Sequence, residues 1–197
     1  MSKLKYNLKQ STYAFIDATN IIYGAGNNGW RMDFKKLISY LKSRFNCTKI
    51  YYYAGVDNEN KKQLHFYEKL QEFGYLLRLV PVKKFKDGKK KADVDSRMTF
   101  EMMKYYPEYD KAVIFTGDGD YYWALEYLKE KKQQIWLIGF RKNTAQELKQ
   151  LLGQQFNDLS RLKDKLSYPQ KNEVDACLGS TSRDYDHNLS NKLKKVK

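Results

Sequence analysis

Residues 113–124 read VIFTGDGDYYWA. An apolar run of strand composition ends in a Thr-Gly-Asp-Gly-Asp turn, and the chain passes at once into YYWALEYLKEK (121–131), whose apolar positions recur at helical spacing. This is a βα unit with two carboxylates at the carboxyl end of its strand. Taken alone, GDGD can be a tight turn, with Asp120 serving as a helix cap.

Working outward from this unit, the same order repeats. STYAFIDATN (11–20) reads as a short strand ending at Asp17, followed by IIYGAGNNGWRM (21–32), whose three glycines predict a loop. DFKKLISYLKSRF places Phe34, Leu37, Ile38, Leu41 and Phe45 on one helix face, with Asp33 as N-cap. TKIYYYAG (48–55) is a strand, NKKQLHFYEKLQEFG (60–74) a helix closed by Gly74, and YLLRLVPV (75–82) a third strand. A lysine-rich loop, KKFKDGKKKAD (83–93), leads into the helix SRMTFEMMKYY, with Met98, Met102 and Tyr105 or Tyr106 on its apolar side. After the GDGD unit come the strand QQIWLIGF (133–140) and the helix TAQELKQLL, where Thr144 and Glu147 read as a capping box. Strict alternation of short apolar strands with amphipathic helices predicts a parallel sheet covered on both faces, a three-layer α/β/α domain.

The 197 residues are 42% hydrophobic and 15% aromatic, enough to bury one full core. One domain is expected over residues 11–166, between a polar segment at 1–10 and a polar, basic tail at 167–197. Lys and Arg outnumber Asp and Glu by 37 to 23, a formal charge of +14, which favours a polyanionic partner. Cys47 and Cys177 lie far apart and indicate neither a disulfide framework nor a zinc site. No apolar run reaches the ~18 residues of a membrane span, and MSKLKYNLKQ lacks a secretory core, so a cytoplasmic protein without membrane association is expected.

In an open parallel sheet, ligands bind beyond the carboxyl ends of the strands, where the strand order reverses. Asp17 lies at the end of the first strand, Asp57 just past the second, and Asp118 and Asp120 just past the fourth, while Asp93 and Asp95 open the helix after the lysine loop. Each alone can be a cap or a turn residue. Gathered at one edge they repel one another, and a divalent cation relieves that repulsion. Oxygen ligands without nearby His or Cys point to Mg²⁺ or Mn²⁺, which lowers the pKa of a bound water and neutralises phosphate charge. Lys83, Lys84, Lys86, Lys89, Lys90 and Lys91 precede Asp93 and Asp95 directly, so one loop could supply both substrate attraction and metal ligands.

YAFIDATNIIYG, KADVDSRMTFEM and VIFTGDGDYYWALEYLKEKKQQIWLIGF resemble, in order and spacing, the three acidic motifs of NYN domains of the LabA-like branch of the PIN-like nucleases, over roughly residues 11–160. The resemblance implies a sheet of order 3-2-1-4-5, with Asp17 and Asp118 facing each other at the switch point. It also implies hydrolysis of RNA by metal-activated water. By it, Asp17 is a metal ligand with Asn20 as its companion, and Thr116, Asp118 and Asp120 fill a T/S-G-D-x-D motif. In the middle motif the family shows an Asp with a second acid six residues later, which Asp95 and Glu101 match better than Asp93 and Thr99; the Glu departs from the family pattern.

The expected function is therefore a Mg²⁺- or Mn²⁺-dependent ribonuclease using Asp17, Asp95, Asp118 and Asp120, supported by Asn20, Thr116, Asp93 and Glu101. The lysine loop, with Arg141 and Lys142, would hold the RNA backbone, and tyrosines could stack on unpaired bases, although most of the 17 Tyr suit packing. Single-stranded and structured RNA, and a homo-oligomer, are left open. An aspartate-nucleophile phosphatase of the HAD type, whose late motif FTGDGD also resembles, is disfavoured because Thr19 stands where its general acid belongs. GAGNNG matches G-x-G-x-x-G, but too far past the strand for a dinucleotide site and without the later acid. A non-catalytic RNA-binding adaptor is the remaining alternative.

Overall fold

The computed structural model describes residues 11–84 and 90–169. The first strand, β1 (Thr12–Asp17), is buried along its whole length. It pairs in parallel with β2 (Cys47–Val56) on one side and with β6 (Lys111–Phe115) on the other. β3 (Leu76–Pro81) extends the sheet beyond β2, and β7 (Gln134–Gly139) beyond β6, followed by a short edge strand β8 (Phe156–Asp158). The order β3-β2-β1-β6-β7-β8 is the expected arrangement of five main strands, with one three-residue strand added at the edge. Lys83–Lys84 (β4) and Lys90–Lys91 (β5) form a separate antiparallel pair within the lysine segment.

A central parallel strand must bury both faces, and the side chains of β1 divide accordingly. Ala14 and Ile16 join one cluster with Leu37, Ile38 and Leu41 of α2 (Phe34–Phe45) and Tyr67 and Leu70 of α3 (Lys61–Phe73). Tyr13 and Phe15 join the other, with Met98 and Met102 of α4 (Val94–Tyr105), Leu125 and Leu128 of α5 (Tyr122–Glu130), and Leu148 and Leu152 of α6 (Gln146–Leu152). Each fully buried aliphatic side chain contributes roughly 1.5–3 kcal/mol. Many tyrosines serve this packing: Tyr51, Tyr53 and Tyr109 lie inside against Phe15, and Tyr13 against Tyr51 and Tyr109.

Asp33 caps α2, accepting from the Lys35 and Lys36 N–H groups, and Gly74 ends α3 with φ of 100°. The chain closes on the start of α2: after α7 (Lys163–Leu166), the Leu166 carbonyl accepts from Asp33 N–H, and Ser167 bridges to Met32. Residues 1–10 and 170–197, most of the expected flanking segments, lie outside the described residues, as does Cys177.

Two local expectations are corrected. Residues 21–27, the first part of the expected glycine loop at 21–32, belong to helix α1 (Ala18–Asn27). Gly24 is there for closeness: a Cβ on it would lie 2.1 Å from the Phe140 ring, so helix and β7 turn meet only across a glycine. Thr144 and Glu147 make no capping box, because the Thr144 hydroxyl donates to the Phe140 carbonyl and the helix begins one residue later, capped by Ala145 without a side-chain bond.

Candidate active site at the switch point

Because β1 and β6 are neighbours in register, with Ile16 opposite Phe115, the residues that follow each strand emerge side by side. Asp17, only 2% exposed, caps α1: Oδ1 accepts from the Thr19 and Asn20 N–H groups at 3.0 and 3.2 Å. Its Oδ2 accepts from Asn20 Nδ2 at 2.6 Å and from Thr116 Oγ1 at 3.5 Å. Asn20 also accepts from the Gly117 N–H at 3.1 Å, so one amide ties the end of β1 to the acidic turn. Thr116 Oγ1 accepts from the Asp118 N–H, which sets the direction in which the turn departs.

Within GDGD the roles differ from expectation. Asp118 caps the short 3₁₀ turn Gly119–Tyr121, accepting from the Asp120 N–H at 3.0 Å, whereas Asp120 caps nothing and lies exposed. Gly117 is required sterically, since a Cβ there would stand 2.9 Å from the Asn143 carbonyl oxygen.

On α4 it is Asp93 that caps the helix, accepting from the Ser96 N–H, and those Ser96 bonds hold its exposed carboxyl below the usual range. Asp95, in the first turn, accepts instead from the Tyr121 hydroxyl at 2.9 Å. Tyr121 is fully buried, and burial, then the charges of Asp17, Asp95 and Asp118, push its phenol well above its ordinary value. Its hydroxyl thus stands in the field of carboxylates from three separate segments. Sequence reasoning missed Tyr121, one of three consecutive aromatic residues whose inward member only the packing of α5 reveals.

Glu101 is corrected as a supporting acid of this cluster. Residues six apart on a helix diverge by roughly 120° around its axis, so Glu101 faces away from Asp95. It accepts from Arg78 Nε at 2.7 Å, Arg97 Nε at 3.2 Å and the Tyr53 hydroxyl at 3.0 Å, a buried ion-paired knot that fastens α4 to β2 and β3.

The geometry can now be set beside known proteins. A family model described as NYN domain matches residues 11–159. The chain belongs to the NYN domain family. This NYN protein is LabA-like: it is 28% identical over 166 residues to the Low amplitude and bright protein LabA of Synechococcus elongatus, covering 79% of this chain and 89% of that protein. Among solved structures, a protein of unknown function from Vibrio parahaemolyticus, VPA0982, has a similar fold, with a TM-score of 0.64 at 22% identity over 77% of this chain and 92% of that one. The NYN chain has the expected PIN-like architecture, and no helix among the described residues is long and apolar enough to cross a membrane.

The carboxylates of the NYN domain carry the signature of an unneutralised cluster. Burial raises the Asp17 carboxyl to about 6 against the pull of the Asn20 hydrogen bonds, and the charge of Asp95 adds to the rise. Asp95 is raised by burial, opposed by the Tyr121 hydrogen bond, and raised further by Asp118, Asp120 and Asp93. The donor set, acceptor-only carboxylates that repel one another, suits a hard divalent cation. Among the described residues no three His, Cys, Asp or Glu side chains converge into a ready-made cage.

Of the expected backbone-binding cations, Lys83 and Lys91 are exposed and act electrostatically on Asp93. Lys84 and Lys90 are placed by their backbone in the β4–β5 pair, and Lys86 and Lys89 lie outside the described residues. Arg141 packs over the Phe156 ring and leans 3.8 Å from Asp158, while Lys142 is exposed in the turn after β7. The recess beside Asn20, Thr116, Gly117 and Asn143 has room for about one water, some 10 Å³.

Proposed function

We propose that this NYN domain is a Mg²⁺- or Mn²⁺-dependent ribonuclease whose site is formed by Asp17, Asp95, Asp118 and Asp120 within a single catalytic domain spanning residues 11–166. The observation that carries the reading is that carboxylates from β1, α4 and the turn after β6 all act electrostatically on the buried Tyr121 phenol, whose hydroxyl donates to Asp95, in a chain of net charge +14. LabA-like NYN membership supports it.

Asp17, Asp95, Asp118 and Asp120 would hold the ion, which when bound supplies a water of lowered pKa and offsets charge on the scissile phosphate. The chain's own residues do the rest. Asn20 fixes the Asp17 carboxylate and the Gly117 N–H in one arrangement, so both strand ends keep their spacing without rearrangement. Thr116 orients the turn bearing Asp118, and Tyr121 keeps one Asp95 oxygen engaged, fixing its rotamer. Lys83 and Lys91 draw the phosphate backbone toward the cluster. A cytoplasmic location fits a chain whose described cysteine, Cys47, is a buried thiol.

The test is incubation of the wild type and Asp17→Asn with labelled single-stranded and hairpin RNAs in Mn²⁺, Mg²⁺ or EDTA. Cleavage should require the metal and fall at least a hundredfold in the variant. Cleavage that persists in EDTA or in Asp17→Asn removes this site. Tight RNA binding without cleavage, unchanged in Asp118→Asn, makes the protein an adaptor instead.

A further inference from the structure

Trp123 is 76% exposed, the most exposed large apolar side chain among the described residues. Its indole meets the Tyr122 ring edge-on, with centroids 5.3 Å apart and planes at 88°, and the Tyr122 hydroxyl is held by Glu126 at 2.9 Å. One edge of the indole is thus supported while the bulk of it faces solvent. The residue lies in the first turn of α5, two positions beyond Tyr121, whose hydroxyl binds Asp95. Asp93, two residues before Asp95, caps α4, and the exposed Lys83 and Lys91 of the segment after β3 act on it. The lysines beyond β3, the acids at the start of α4, which packs on β2 and β1, and the indole at the start of α5, which packs on β7, therefore follow one another along the carboxyl edge of the sheet.

A ligand matching that order carries negative charge at one point, a reacting phosphodiester at the next and a flat apolar face beyond it. A single-stranded nucleic acid has this sequence of features, whereas a duplex keeps its base faces stacked inside. The other strongly exposed ring, Phe100, is 64% exposed but five residues after Asp95, roughly 7.5 Å down α4 from the edge, and is not placed to join it. The small recess near Asn20 cannot take a base. We propose that Trp123 is the stacking platform for an unpaired base of single-stranded RNA whose backbone crosses the acid cluster from the lysine pair. The assignment rests on the nuclease reading of that cluster and adds to it the strandedness of the substrate and the residue that senses it.

The experiment uses the full chain in EDTA with a 12-nucleotide oligouridine, the same oligomer with one central abasic position, and a blunt 12-base-pair RNA duplex. Trp30 is 6% exposed and Trp136 packs against Phe45, so quenching of the exposed indole reports on Trp123. Oligouridine should quench wild-type emission more than the duplex does. Trp123→Ala should bind it about 5- to 150-fold more weakly, with Trp123→Phe recovering most of the loss. The slope of log affinity against log salt should not change, because no phosphate contact is removed, whereas Lys83→Ala with Lys91→Ala should flatten it. The abasic oligomer should bind more weakly to wild type and show a smaller difference between wild type and Trp123→Ala, and Phe100→Ala should leave all values as they were. If RNA is bound here and cut when Mn²⁺ replaces EDTA, but Trp123→Ala matches wild type in both, the platform is wrong and the nuclease reading stands. If sedimentation shows a dimer that Trp123→Ala dissolves while RNA affinity is unchanged, the indole joins copies of the chain and the proposal is overturned. If the wild type binds no RNA at low salt, both readings fall together.

Discussion

Asp17 is a carboxylate that the fold would rather keep protonated, and this has a measurable signature. Its ordinary value of 3.8 is raised to about 6, chiefly by burial. Between about pH 4 and 6 the unfolded chain has released this proton while the folded chain retains it, so stability must fall as pH rises through that window. Two pH units at 1.36 kcal/mol each amount to about 3 kcal/mol. Above pH 6 both states are ionised and the full penalty persists. Asp17→Asn removes the titration while retaining an oxygen for the Thr19 and Asn20 N–H groups. Its new amide faces Asn20 Nδ2 donor to donor, a loss of about 1–2 kcal/mol that does not vary with pH. Urea unfolding of both proteins at half-unit steps from pH 4 to 7.5, without divalent metal, isolates the effect. The difference between the two profiles should change by about 3 kcal/mol in the stated direction. Adding Mg²⁺ at pH 7.5 should raise the wild-type Tm and leave that of Asp17→Asn nearly unmoved. Parallel profiles would refute the argument that burial leaves Asp17 uncompensated.

Three further outcomes can be checked. Tyr121→Phe removes the hydrogen bond that lowers the Asp95 carboxyl, so the acid limb of the cleavage profile should move to higher pH while the unfolding free energy falls by only about 1 kcal/mol. Gly117→Ala drives a methyl toward the Asn143 carbonyl and should cost about 1–3 kcal/mol in chemical unfolding, together with most of the activity, because the turn carrying Asp118 must shift. Glu101→Ala leaves Arg78 and Arg97 without their shared carboxylate and should destabilise by about 3–5 kcal/mol, yet Mg²⁺ affinity by calorimetry should stay within about twofold in the milder Glu101→Gln. A large loss of metal affinity in Glu101→Gln would return Glu101 to the ligand set.

The alternation of strands and helices was legible because a buried parallel sheet needs continuous apolar strands and each crossover helix needs one apolar face. β1 (TYAFID) and α2 (FKKLISYLKSRF) display these patterns without ambiguity. α1 was not legible, since its glycines read as a loop signal. Gly24 is selected by the approach of Phe140, a contact 116 residues away that no local window contains. β8 is only three residues long, too short for any periodicity to register. At the site, the strand-end carboxylates were readable because a parallel sheet sends every strand end to one edge, and the resemblance to NYN domains supplied the order, now seen with β1 between β2 and β6, that sets Asp17 beside Asp118. The division of labour among neighbouring acids was not. Whether Asp93 or Asp95 caps α4, and whether Asp118 or Asp120 caps the next turn, depends on a helix start that shifts by one or two residues for reasons of packing. Glu101 was misplaced because sequence spacing records distance along a helix but not the angle around it.

The hydrogen bond from Thr116 to Asp17 joins residues 99 positions apart, and β1 needs β6 as its second neighbour. Contacts of such separation form late, after the intervening chain has been ordered. β1, β2 and β3 can begin to pair while α5 is still being synthesised, but Asp118 and Tyr121 are then absent and the carboxylate edge is open on one side. The acid cluster thus exists only in the finished sheet. A nascent or prematurely ended chain therefore presents Asp17 and the lysine segment without the residues of the turn after β6 that complete the carboxylate edge.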